Sequence, residues 1–130
     1  MALSPVSHSY AELDDRVAHG LPKDALKASV DRVHLAGEDR KRLLHRIVPE
    51  ATYKRRLGVL TADESGRVER LARIFASADY VWNSEYDVRA FLSAPHPMLQ
   101  GRTPLDVSLT ELGARLVEEL LWKLYCGLAA

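Results

Sequence analysis

Cysteine is almost absent from the sequence, since Cys126 is the only one among 130 residues. A single cysteine excludes an intrachain disulfide and a zinc site built from several cysteines. A reducing compartment is therefore expected, and the cytoplasm fits. The first residues lack a basic patch followed by a long apolar run, so no signal peptide is expected. No run of about 18 apolar residues occurs, so no membrane-spanning segment is expected.

Motifs typical of common enzymes are also missing. The five histidines include no His-x-x-x-His pair, the spacing that would place two metal ligands on one helix face. The sequence has no glycine-rich phosphate loop and no Gly-x-Ser-x-Gly motif. Glu118 and Glu119 are adjacent on a predicted helix, so they point apart and are more typical of a solvated face. We therefore predict no catalytic residue, no metal ligand and no cofactor.

Net charge is absent overall, but the charges are unevenly distributed. The formal net charge is +0, and 47% of the residues are hydrophobic, enough for a packed core of one compact domain or two very small ones. Residues 40–56 carry seven basic residues and one acid, a net charge of +6. Residues 57–130 carry 7 basic and 10 acidic residues, a net charge of −3. The basic segment can attract phosphate, which makes nucleic acid a candidate partner.

Apolar residues recur at helical spacing, and no convincing strand appears, so an all-α protein is predicted. Residues 1–19 are expected to form a flexible lead-in, and residues 57–60 are the only weak strand candidate. Thr61 and Glu64 have the spacing of a capping box. The predicted helices cover about 22–35, 38–47, 49–57, 62–79, 84–92 and 111–126, and another starts at Thr103 and Pro104.

The last predicted helix has an apolar stripe and two large aromatic residues near its end. Gly127 follows it, where a left-handed residue commonly ends a helix. Trp122 and Tyr125 either complete the core or anchor a partner, and the pattern alone leaves both interpretations open. The apolar positions of the stripe are Leu112, Leu116, Val117, Leu120, Leu121, Leu124 and Tyr125.

Three short predicted helices within residues 22–57 have the layout of a helix-turn-helix DNA-binding unit. The third of them carries polar and basic side chains, which can contact base edges or phosphates. The alternative is that these residues only cover the outer face of a short helix. The turn at residues 47–49 lacks the glycine common in such turns. The candidate DNA-binding residues are Arg42, Arg46, Thr52, Tyr53, Lys54, Arg55 and Arg56.

The second half of the chain resembles the toxin-binding domain of the Xre/MbcA/ParS antitoxin family. The specific part is the Pro-x-Pro, Gly-Arg-Thr-Pro-Leu-Asp core within residues 91–106, followed by Gly113-Ala114-Arg115 and a helix ending at Gly127. Shorter stretches at residues 20–26, 52–56 and 60–67 are similar to the Xre-type helix-turn-helix of the same family. The resemblance covers roughly residues 20–130, and it implies an all-α antitoxin.

In this family the partner is a toxin with a RES domain, which degrades NAD or transfers ADP-ribose. The resemblance implies that the C-terminal region blocks the toxin's active-site cleft and that the complex represses its own operon. The implied domains are a lead-in at 1–19, a helix-turn-helix domain at 20–60 and a toxin-binding domain at 61–130. The implied toxin-binding residues are Pro97, Gly101, Arg102, Thr103, Trp122, Tyr125, Gly127, Leu128, Ala129 and Ala130.

Residues 128–130 are expected to be a thin, uncharged tail that enters the toxin cleft where a folded surface could not. The alternative is that the surface of residues 91–126 neutralises the toxin and the tail has no role. A homodimer is expected, because paired operator half-sites require two-fold symmetry. A stand-alone transcription regulator without a toxin partner remains an alternative, because the basic segment supports it equally well. An enzyme is the third hypothesis, and the absence of motifs argues only weakly against it.

Overall fold

A computed structural model describes residues 9–33 and 37–127. In these ranges the chain is helical and contains no β-strand, which confirms the all-α prediction. None of the helices in the described residues is long and apolar enough to cross a membrane. The helices are α1 (Tyr10–His19), α2 (Lys23–Val33), α3 (Gly37–Ile47), α4 (Glu50–Arg55), α5 (Ala62–Trp82), α6 (Glu85–Ser93), α7 (Pro104–Val107) and α8 (Glu111–Tyr125), and a 3-10 turn covers Pro97–Leu99.

The predicted flexible lead-in is wrong for residues 10–19, which form α1. Ser9 caps this helix, because its hydroxyl accepts a hydrogen bond from the Glu12 backbone N–H at 3.1 Å. Basic Arg16 and His19 lie in its last turn, where they complement the helix dipole. These end signals compensate for a weak apolar pattern that leaves α1 without a buried residue. Residues 1–8 lie outside the described residues.

Short-range capping bonds mark the starts of four later helices. The Thr61 hydroxyl accepts from the Glu64 backbone N–H at 3.2 Å, and Glu64 accepts from the Thr61 N–H at 2.9 Å, so the capping box is confirmed. The side chains of Ser84, Thr103 and Thr110 cap α6, α7 and α8 in the same way. Such caps involve residues only three apart, which is why the sequence shows them directly.

The weak strand candidate at 57–60 forms a single antiparallel bridge, between Pro22 and Val59, instead of a strand. Backbone hydrogen bonds flank it, from Lys23 N to Gly58 O at 2.9 Å and from Leu60 N to Leu21 O at 2.8 Å. Gly20 permits this close approach: its φ is +96°, and an added Cβ would lie 2.4 Å from the Leu60 carbonyl oxygen. This pairing joins the start of α2 to the segment before α5.

The described residues divide into two compact units between Glu69 and Arg70, within the continuous helix α5. The domain boundary expected from the sequence lies before this helix, between residues 60 and 61. Residues of the first unit that are buried include Leu26, Val30, Val33, Leu43, Leu44, Ile47, Val48 and Leu60. Residues of the second unit that are buried include Leu71, Ile74, Phe75, Val88, Leu92, Leu105, Val117, Leu120 and Leu121.

The predicted apolar stripe of α8 needs correction, since Leu112 and Leu116 are exposed. Gly113 and Ala114 are buried in their place. The reason is a close backbone approach, because an added Cβ on Gly113 would lie only 1.7 Å from the carbonyl oxygen of Val107. The helix therefore turns its smallest residues inward, and hydrophobic periodicity cannot reveal such a preference.

Candidate functional site

Helices α3 and α4 are joined by a tight turn of two residues, Val48 and Pro49. Val48 is fully buried, and its N–H donates to the Leu44 carbonyl at 3.0 Å, which extends α3 into the turn. The Pro49 carbonyl accepts from the Tyr53 N–H at 2.8 Å and so starts α4. The turn therefore needs no glycine, because a buried valine and a proline define its course.

Four of the candidate DNA-binding side chains are exposed on these two helices. Arg42 and Arg46 lie one turn apart on α3, and Arg42 forms an ion pair with Asp39 at 3.0 Å. On α4, the Lys54 ammonium lies 3.9 Å from Glu50, and Arg55 Nε donates to the Ala51 carbonyl at 3.3 Å. All these contacts are solvent-exposed and weak, so the cations can turn towards a phosphate at little cost.

Thr52 and Tyr53, also candidate DNA-binding residues, are half-buried. The Lys23 ammonium lies 4.2 Å from the centre of the Tyr53 ring, and the His45 ring meets Tyr53 edge-on at 6.0 Å. His45 Nδ1 also lies 3.2 Å from the Val48 carbonyl oxygen, within hydrogen-bond distance. Tyr53 thus joins α2, α3 and α4. Sequence reasoning missed Lys23 and His45, because they are far from Tyr53 in the chain.

Arg56, the last candidate on this side, forms a two-fold ion pair with Glu64. Its Nη1 contacts Oε1, and its Nη2 donates to Oε2 at 3.1 Å. The side chains are only 21% and 10% exposed, respectively. The contact ties the residue after α4 to the first turn of α5. No sequence rule connects these positions, which are eight residues apart across an irregular segment.

The pKa of Glu64 lies below its usual value of 4.5. Desolvation by burial raises this pKa, but the hydrogen bond from the Thr61 backbone and the Arg56 guanidinium together lower it by more. A lowered pKa in the folded state means that the charged carboxylate stabilises the fold.

We expect this contribution to be lost in acid. Because the folded pKa is depressed, the stabilisation is complete above the unfolded value near 4.5 and disappears as pH falls through the folded value. Urea unfolding should show the wild type losing more stability than Glu64→Gln as the pH falls from about 7 to about 3. A stability difference that is the same at every pH would contradict this prediction.

In the second unit, the candidate toxin-binding residues Pro97, Gly101, Arg102 and Thr103 belong to one ordered loop. Gln100 and Gly101 both have left-handed backbones, with φ of 56° and 76°. Arg102 closes the loop, since Nε donates to the Leu99 carbonyl at 3.0 Å and Nη2 to the Gln100 side chain at 3.1 Å. Both bonds lie within the loop, so its own residues define its course.

The candidates at the end of α8 form a separate group. Trp122 and Tyr125 are exposed and stack at 5.9 Å, which favours the partner-anchor interpretation over a core role. Gly127 has φ +74° and follows the helix as expected. Within the described residues, no hydrogen bond or ring contact joins residues 97–103 to residues 122–127. The described residues do not include the candidate tail, Leu128, Ala129 and Ala130. They also do not include His34, near the end of the predicted helix 22–35.

Two arginines of α5 contact α8 and the residues just before it, and the sequence did not indicate these contacts. Arg70 Nη2 donates to the Leu109 carbonyl at 3.1 Å, and Arg73 Nε lies 3.5 Å from Glu118. Across the described residues, no three His, Cys, Asp or Glu side chains are grouped to hold a metal ion.

Two family models match the chain. Residues 12–73 match the antitoxin Xre-like helix-turn-helix domain, and residues 77–127 match the antitoxin Xre/MbcA/ParS C-terminal toxin-binding domain. The fold and these matches define an antitoxin of a toxin–antitoxin system, with a helix-turn-helix domain suited to DNA. A relative, Antitoxin Xre of Pseudomonas putida, is 31% identical over 119 residues, which are 89% of this chain and 72% of that protein. The chain belongs to the Xre/MbcA/ParS antitoxin family.

Proposed function

We propose that the chain neutralises a RES-domain toxin, which degrades NAD or transfers ADP-ribose, by blocking its active-site cleft. The protein acts by binding rather than by catalysis, in the cytoplasm, and residues 61–130 carry this activity. The observation that supports the proposal best is the match of residues 77–127 to a toxin-binding domain. This range contains the loop at 97–103 and the exposed end of α8, and in this proposal the tail 128–130 completes the blocking segment.

Co-expression with the toxin encoded by the adjacent gene tests this function. Cells that carry both genes should grow, whereas cells that carry the toxin alone should not. A chain lacking residues 128–130 should rescue less well at equal expression if the tail enters the cleft. Unchanged toxicity in the presence of soluble, full-length antitoxin would overturn the proposal.

The second part of the proposal is that residues 20–60 bind operator DNA and repress the operon. Helix α4 enters the major groove, and exposed cations on α3 and α4 contact phosphates. Thr52 lies on the same helix, where its hydroxyl can reach a base edge. This assignment is supported by the net charge of +6 over residues 40–56 and by the exposure of Arg42, Arg46, Lys54 and Arg55.

Replacing Lys54 and Arg55 by alanine should weaken operator binding and reduce its salt dependence. Each lost phosphate contact removes roughly one unit from the slope of log affinity against log salt concentration. Gel-shift titrations over a salt series measure both effects. Arg115→Ala is the matched control, because it removes an equally exposed arginine from α8 and should leave affinity and slope unchanged. An unchanged slope in the double variant would show that another surface contacts DNA.

Repression by an operator with two half-sites requires two copies, so the proposal includes a homodimer. Sedimentation at micromolar concentration should show a dimer, and a monomer that still binds the operator tightly would contradict this.

A stand-alone transcription regulator is the second candidate, favoured by the basic surface of α3 and α4. The adjacent gene distinguishes the two, because a RES-domain reading frame supports the antitoxin.

A further inference from the structure

An open groove of about 330 Å³ runs between α5 and α8 in the second unit. Its α8 wall includes Leu121, Trp122 and Tyr125, of which the two aromatic residues were already candidates. Its α5 wall includes Ser77, Tyr80 and Val81, which neither the sequence nor the proposed function assigns. The volume is at the lower end of the range for small-molecule pockets, and it suits one or two large protein side chains.

The aromatic residues of this groove are exposed and contact one another. Tyr80, Trp122 and Tyr125 are 62%, 64% and 50% exposed. Tyr125 connects the other two, since its ring centre lies 5.2 Å from that of Tyr80 and 5.9 Å from that of Trp122. Interaction with the neighbouring Tyr80 hydroxyl raises the pKa of Tyr125. Clusters of exposed aromatic residues are enriched at the energetic centre of protein interfaces, where binding removes them from water.

The chemistry of the walls indicates a protein partner rather than nucleic acid. Glu118 is the charged residue at the groove, and it is already close to Arg73, at 3.5 Å. Such a surface offers no cation to a phosphate backbone. A second copy of the chain related by a two-fold axis would place one groove against the other, and neither groove would be filled. A projecting segment of a different protein can fill the groove.

We infer that the groove between α5 and α8 docks an apolar side chain of the cognate toxin, with Tyr80 and Ser77 contributing from α5. The inference rests on the proposed function. Its support is that all lining residues except Ala76 fall within residues 77–127, the range that matches a toxin-binding domain. The groove then makes an apolar contact with the toxin, in addition to the blocking of the toxin's cleft by the end of α8 and the tail.

Filling the groove tests the inference. Ser77→Trp places a large ring on the half-buried α5 wall, and Ala90→Trp is the matched control, because Ala90 is exposed on α6 and does not line the groove. Binding to the purified toxin of the adjacent gene should weaken about tenfold or more with Ser77→Trp and not with Ala90→Trp. Operator affinity should be unchanged. Tyr80→Ala removes a mostly exposed ring, so it should weaken toxin binding similarly without unfolding the chain.

The outcomes separate the inference from the function on which it rests. If the wild type itself does not bind the toxin, both the proposed function and the inference fail. If the wild type binds and both Ser77→Trp and Tyr80→Ala bind equally well, only the inference fails. If Ser77→Trp leaves toxin binding intact but dissociates an antitoxin dimer in sedimentation, the occupant is a second copy and the inference is overturned.

Discussion

Gly113→Ala is expected to destabilise the second unit by about 3 kcal/mol or more, because its new Cβ has no room. The Cβ would lie 1.7 Å from the Val107 carbonyl oxygen and 2.8 Å from the Thr110 hydroxyl. That hydroxyl caps α8 by accepting the Gly113 N–H at 3.0 Å, so relief of the clash breaks the cap as well. Alanine normally improves a helix by about 1 kcal/mol over glycine, a gain too small to compensate.

Urea unfolding followed by circular dichroism measures the loss, and toxin neutralisation in co-expression should fall with it. Gly37→Ala is the matched control, because nothing lies within 4 Å of its Cβ position at the start of α3. This control should be neutral or slightly stabilising. Equal unfolding midpoints for the two variants would contradict the close approach of α8 to the carbonyl oxygen of Val107.

The starts of the helices and the all-α class were predictable because they depend on local patterns. The capping pair of Thr61 and Glu64 needs only a spacing of three residues, and the apolar positions of α2 and α3 recur at the helical period. The buried face of α8 was not predictable in the same way. Periodicity favours Leu112 and Leu116 as core residues, but the demand for a close approach at Gly113 rotates the helix.

The contacts that hold the candidate site residues could not be predicted from the sequence. The sequence indicates that residues 42–56 are basic, yet it cannot distinguish cations that face solvent from those held by distant partners. Tyr53 contacts Lys23, and Arg56 contacts Glu64, through turns whose geometry no short motif encodes. Likewise, the aromatic pair on α8 was visible in the sequence, whereas its neighbour Tyr80 on α5 was not.

Arg56→Met is expected to cost about 2 kcal/mol of stability, because Glu64 remains buried after losing two charge-assisted hydrogen bonds. Operator affinity should also fall, since α4 has only six residues and the ion pair fixes the residue that follows it. The salt slope should stay the same, because the guanidinium is held by Glu64 instead of a phosphate. A slope reduced by about one unit would mean that Arg56 contacts DNA directly.

Glu64→Met distinguishes a role of Glu64 in positioning α4 from a direct effect of its negative charge on DNA binding. Removing an acid near a phosphate-binding surface should strengthen DNA binding if charge alone matters. We expect weaker binding, because Arg56 and the Thr61 N–H both lose their acceptor and the end of α4 is released. The double variant should lose less stability than the sum of the losses in the two single variants, because each single change breaks the same ion pair. Tighter operator binding by Glu64→Met would indicate that Arg56 contacts phosphate rather than aligning α4, and additive stability losses would contradict the coupling of Arg56 and Glu64.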